Sequence, residues 1–125
     1  MALEHTKNID HVFASEGALR HSLEEVGQYL HTVIEDGGPR AVELDNGDGV
    51  TSKSEEFAAA WADLDEGGYT ATSGWIYTWY RGPHGSQEFA ARIHFDGLSV
   101  SGWVKGFDAK KVAQAAKEIA AILSR

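Results

Sequence analysis

The sequence predicts a single α+β domain, and three observations carry that expectation. Apolar residues recur at helical spacing in three stretches, each bounded by capping or glycine-rich segments. Between the second and third, Tyr69 to Lys105 reads as three consecutive strands with one apolar face and one mixed face. At 125 residues the chain can bury a real core, and it has no cysteine with which to staple one. The expected order is α-β-α-β-β-β-α: an antiparallel sheet ending in a three-stranded meander, with helices packed on one face.

Met1 to about Phe13 shows no periodic pattern and reads as a flexible N-terminal arm, residues 1–13, ahead of one domain spanning 14–125. Ser15 or a neighbour opens the first helix, which runs to about Glu35 with Leu19, Leu23, Val26, Leu30 and Val33 as its buried stripe. Gly37-Gly38-Pro39 ends it, because glycine supplies the cap geometry and proline cannot continue the ladder. Arg40 to Leu44 reads as a short strand, followed by the turn Asp45-Asn46-Gly47-Asp48-Gly49. A second helix is expected from Ser54, where Ser-Glu-Glu offers a cap and an acidic first turn, through Phe57, Trp61 and Leu64 to Gly67-Gly68. Asp108 caps the final helix, whose stripe is Val112, Ala115, Ala116, Ile119, Ile122 and Leu123. Lys110 and Lys111 sit in its first turn, where the helix dipole disfavours a cation by about 0.3–1 kcal/mol each.

The meander's register follows from turn chemistry. Asp96-Gly97 is a favoured two-residue hairpin dipeptide and would pair Phe95 with Leu98 and Ile93 with Val100. Gly82-Pro83-His84-Gly85 is a four-residue turn candidate that would pair Thr78 with Phe89. Since side chains alternate across a sheet, Ile76, Thr78, Tyr80, Phe89, Ala91, Ile93, Phe95, Leu98, Val100 and Val104 then form one face, the expected core. The opposite face sets Trp75 beside Arg92 and Ser101, Tyr77 beside Ala90 and Trp103, and Trp79 beside Glu88 and Lys105, with His94 between. Aromatic rings mixed with Arg and Lys are the residue types that dominate interface energies. The candidate binding residues are therefore Trp75, Tyr77, Trp79, Arg92, His94, Trp103 and Lys105. If the first helix or a symmetry mate covers that face, the same rings are ordinary packing residues.

Charge is unevenly distributed. Residues 1–66 hold fifteen acids against four bases, a balance of −11, and residues 67–125 hold four acids against seven bases, a balance of +3, together the net −8. An acidic field repels nucleic acid and anionic membrane and speeds encounter with a basic protein surface. The missing cysteines, and an N-terminus without a signal-peptide pattern, make a cytoplasmic protein the expectation.

No catalytic or cofactor motif stands out. The calcium-loop pattern fails at Asp45 to Glu56, where position 6 would be Val50 in place of glycine. Gly97-Leu98-Ser99-Val100-Ser101-Gly102 is not a nucleophile elbow, and no phosphate-binding glycine loop occurs. On the first helix Glu24, Gln28, His31 and Glu35 share a face and His21 precedes Glu25 by a turn, a spacing that also describes any solvated face, so no metal site is assigned. No cofactor is expected. The expectation is a small acidic interaction module that inhibits, neutralises or adapts a partner protein, with a homodimer as a further possibility. The alternative is a small-ligand-binding or enzymatic domain with an aromatic cleft, containing Arg92 and His94, beneath the first helix. Stacking of single-stranded nucleic acid on the sheet ranks last, because the chain is acidic.

Overall fold

The computed structural model describes residues 4–33, 40–81 and 87–125. The strands are β1 (His5–Val12), β2 (Arg40–Asp45), β3 (Thr51–Ser54), β4 (Ser73–Arg81), β5 (Gln87–Asp96) and β6 (Ser99–Gly106). The helices are α1 (Glu16–Val33), α2 (Phe57–Glu66) and α3 (Ala109–Leu123). The six strands form one sheet in the order β1-β6-β5-β4-β2-β3, antiparallel at every pairing. The α+β class, the C-terminal meander and the helices against an antiparallel sheet are as the sequence predicts. Two strands that the sequence does not announce, β1 and β3, form the sheet's edges.

Each of these additions has a local cause. The segment read as a flexible arm is the strand β1, paired with β6 from His5 opposite Gly106 to Val12 opposite Ser99. Its pattern is invisible because Lys7 and Asp10 remain exposed at the edge and Ile9 alone is buried. β3 arises because the turn after β2 closes a hairpin: Asn46 donates its N–H to the Val50 carbonyl at 3.0 Å, and its side-chain oxygen accepts from the N–H groups of Asp48 and Val50 at 2.8 and 3.0 Å. Ser54 therefore ends a strand and does not open α2. Glu56 is the N-cap residue, with no side-chain cap bond, and the Ser54 hydroxyl accepts from the Glu56 N–H at 3.2 Å. Ser15 does cap α1, accepting from the Ala18 N–H at 3.2 Å, and Asp108 caps α3 through the N–H groups of Lys110 and Lys111. The expected stop at Gly37-Gly38-Pro39 and the turn Gly82-Pro83-His84-Gly85 lie outside the described residues.

The meander register differs from the sequence reading in a regular way. Phe95 pairs with Val100 and Thr78 with Ala91, so each hairpin is offset by two residues from the expected pairing. Gly97 and Leu98 are the corner of the second hairpin, with Gly97 at φ +61° in the first loop position, where its N–H donates to the Thr72 carbonyl at 2.8 Å. In the first hairpin a bulge falls between Tyr80 and Arg81. An offset of two returns every side chain to its own face, so the division into two faces survives while the neighbours change. Leu98, expected in the core, lies in the turn and is 38% exposed.

All three helices cover the same face. α2 lies over β2 and β3, α3 over β1 and β6, and α1 between them. Leu19, Leu23, Val26 and Leu30 of α1 share one core with Ile76, Ile93, Phe95 and Val104 of the sheet and with Ile119 and Leu123 of α3. Trp61 is sealed inside it, stacked on Phe95 with ring centroids 6.1 Å apart. Gly102 is required by close strand approach: a Cβ there would stand 2.2 Å from the Arg92 carbonyl oxygen and 2.9 Å from Ile93 Cα. No described helix is long and apolar enough to cross a membrane.

Candidate functional site: the open face of the sheet

The face opposite the helices carries the seven residues singled out from the sequence, and no described helix packs across it. Strand pairing orders them in rows. One row runs Lys53, Glu43, Trp75, His94, Ser101, Asp10 from β3 to β1, and the next runs Ala41, Tyr77, Arg92, Trp103, Asn8. A third sets Trp79 beside Ala90 and Lys105. The partners expected for Trp75 and Tyr77 are thus corrected: His94 stands beside Trp75 and Arg92 beside Tyr77, because both hairpins are offset by two. Trp75, Tyr77, Trp79 and Trp103 are half-buried by one another and by their flanking side chains, while Arg92 and His94 are exposed.

The rings and cations are packed together. Tyr77 lies 4.9 Å from Trp79 and 6.2 Å from Trp103, the latter edge to face. The Arg92 guanidinium stands 5.6 Å from the Trp75 ring centroid, and Lys105 Nζ is 4.4 Å from that of Trp103. Cation–π pairs at exposed positions contribute about 0.5–1 kcal/mol each, enough to hold the long side chains flat against the rings. Charge is polarised along the strands. Asp10, Glu43, Asp45 and Asp96 lie toward the end where β4 begins, with Lys53 beside Glu43 at the sheet's edge, and Arg92 and Lys105 lie toward the other. Shallow depressions flank the Arg92–His94 pair, one of about 480 Å³ reaching Asp10 and Trp103 and one of about 400 Å³ reaching Glu43 and Trp75.

This face sets aromatic, cationic and hydrogen-bonding groups side by side. Ser101 Oγ and His94 Nδ1 are 3.0 Å apart, a hydrogen bond that superficially suits nucleophile activation. The row order argues otherwise, because Asp10 is beside Ser101 and the other neighbour of His94 is Trp75, so no carboxylate in the row orients the imidazole in triad fashion. Among the described residues no group of three or more His, Asp or Glu is arranged to hold a metal ion. On α1, His21 Nε2 stands 3.0 Å from one carboxylate oxygen of Glu25, and the other oxygen binds Arg125, two residues past the end of α3, at 2.8 Å, so this spacing ties α1 to the segment that follows α3. Of the first-turn lysines of α3, Lys111 has a local compensation: its Nζ stands 5.0 Å from the Phe89 ring centroid.

Asn8, Asp10, Glu43 and Lys53 belong to this face and were not singled out from the sequence. Their strands are short or lie at an edge, and period-2 alternation is missing there. The Asp-Asn-Gly turn after β2 was the one signal that a returning strand, and with it Lys53, should follow. Comparison of the chain with known protein families, curated proteins and solved structures finds no match.

Proposed function

We propose that the protein is a small acidic interaction module, of inhibitor, neutralising or adaptor type, that binds a partner protein through the open sheet face. One observation carries this reading: four aromatic rings, flanked by Arg92, Lys105 and His94, lie on the sheet face that all three helices leave uncovered. A clustered apolar surface rimmed by charge is the usual form of a contact site, and aromatic and arginine side chains are its usual energetic centre. The net charge of −8 favours encounter with a partner that presents a basic surface.

α1 packs on the face opposite Trp75, Tyr77, Trp103, Arg92 and His94, so among the described residues these side chains line no cleft beneath it. A small ligand would have to occupy the open depressions around Arg92 and His94. Affinity capture with the wild type and with Trp75→Ala/Trp103→Ala, followed by titration of the captured protein in purified form, separates the cases. The interaction reading expects one partner that binds the wild type stoichiometrically and loses at least about tenfold in affinity for the folded variant. Capture that is indifferent to both substitutions contradicts it.

A further inference from the structure

We propose that β1 pairs antiparallel with the β1 of a second copy, making a two-fold dimer whose open faces join into one surface. The two edges of the sheet differ. β3 has four residues, whereas β1 has eight, paired with β6 throughout without a bulge or a proline. Lys7 and Asp10 are the protection this edge does carry, and its regular ladder of outward backbone groups can still accept a strand whose register keeps like charges from those two residues.

The backbone fixes which groups are available. The Phe13 N–H donates to the Leu98 carbonyl at 2.9 Å, and antiparallel bonding alternates along a strand. Odd-numbered residues of β1 therefore bond to β6, and Thr6, Asn8, Asp10 and Val12 direct their N–H and C=O groups away from the sheet. All four find partners when Asn8 stands opposite Asp10 of the second copy and Thr6 opposite its Val12, with the two-fold axis at Ile9. In that register no two acids and no two of Lys or Arg oppose each other, Lys7 stands opposite His11 of the second copy, and Val12, 72% exposed in the single chain, gains a β-branched neighbour. A shift of two residues one way sets Asp10 against Asp10, and the other way sets Val12 against Glu4. The depression that reaches Asn8 and Asp10 lies at this edge, so the second copy would add its own Asn8 and Asp10 beside it. This inference stands on the edge strand alone and is independent of the partner-binding proposal.

Sedimentation equilibrium on the full chain tests it. The wild type is expected to dimerise reversibly. Asn8→Asp places two like-charge pairs across the axis and should weaken the dimer by about 2- to 30-fold, whereas Asn8→Lys faces Asp10 and should strengthen it. Circular dichroism establishes that each variant is folded. Trp75→Ala/Trp103→Ala should leave this equilibrium unchanged, which keeps the test separate from that of the open face. A wild type that stays monomeric at about 500 µM, an affinity that neither Asn8 substitution changes, or equal weakening by both overturns the proposal.

Discussion

Trp61 and Trp75 stand on opposite sides of one sheet. Trp61 is 1% exposed, stacked on Phe95 and tilted against Phe57, in a core built from three helices. Trp75 is half-buried, with Arg92 over its ring, on a face where four acids gather toward one end of the strands and Arg92 and Lys105 toward the other. The same residue type thus closes a core on one side and lies on the face that the helices leave open on the other. A cation lies over each ring, Arg20 at 5.2 Å from the Trp61 centroid and Arg92 at 5.6 Å from that of Trp75, so what differs is burial: Phe57 and Phe95 enclose Trp61, whereas Trp75 keeps part of its ring accessible.

Substitutions that break this division should scale with burial. Trp61→Ala is expected to cost about 3–5 kcal/mol and Ile93→Ala about 2–5 kcal/mol, measured by urea unfolding. Gly102→Ala, which drives a methyl into the Arg92 carbonyl, should cost about 1–3 kcal/mol as an overpacking change in the same experiment. Trp75→Ala with Trp103→Ala removes two exposed cation–π pairs and should cost about 1–2 kcal/mol together, less than Trp61→Ala alone. If the open-face pair costs more than Trp61→Ala, the assignment of the two faces is wrong.

The helical layer also offers a gain. Gly27 sits mid-helix in α1, and a Cβ there would meet Phe57 Cβ at 3.7 Å and Ile76 Cδ1 at 4.0 Å, ordinary contact distances. Gly27→Ala should therefore stabilise by about 0.5–1 kcal/mol through helix propensity. The smallest effect concerns alkaline pH. Burial, with a contribution from Glu118, raises the pKa of the Tyr29 phenol above its ordinary value of 10.0. The unfolded chain then ionises first, so this contribution is fully present below pH 10 and is lost as pH rises through the folded value. Tyr29→Phe should remove that part of the alkaline decline in stability and leave acidic behaviour unchanged.

How much of this was legible in the sequence depended on how strongly each residue's surroundings constrain it. Helix stripes such as Leu19, Leu23, Val26 and Leu30 were readable because a helix on a sheet must be apolar along one line. The two faces of the meander were readable because alternation survives an offset of two, although the exact neighbours of Trp75 and Tyr77 were not. The β4–β5 offset, which sets those neighbours, accompanies the bulge between Tyr80 and Arg81; the β5–β6 offset depends on whether Gly97 takes the first or second corner position, and its dipeptide with Asp96 favours the second. β1 left no trace, since an edge strand needs only Ile9 inside and can carry Lys7, Asn8 and Asp10 outside. The site was legible as a set of rings and cations, and its polar margin of Asn8, Asp10, Glu43 and Lys53 was not, because that margin is contributed by strands with no alternating signature.

The most direct test of the account compares binding with stability in one variant. Trp75→Ala/Trp103→Ala is to be titrated against the partner captured by the wild type while its thermal midpoint is measured in the same buffer. The account predicts a cooperative transition lowered by no more than about 10 °C, with affinity reduced at least about tenfold. Unchanged affinity, or loss of the cooperative transition, would contradict the claim that the open face serves recognition and the helical face serves the fold.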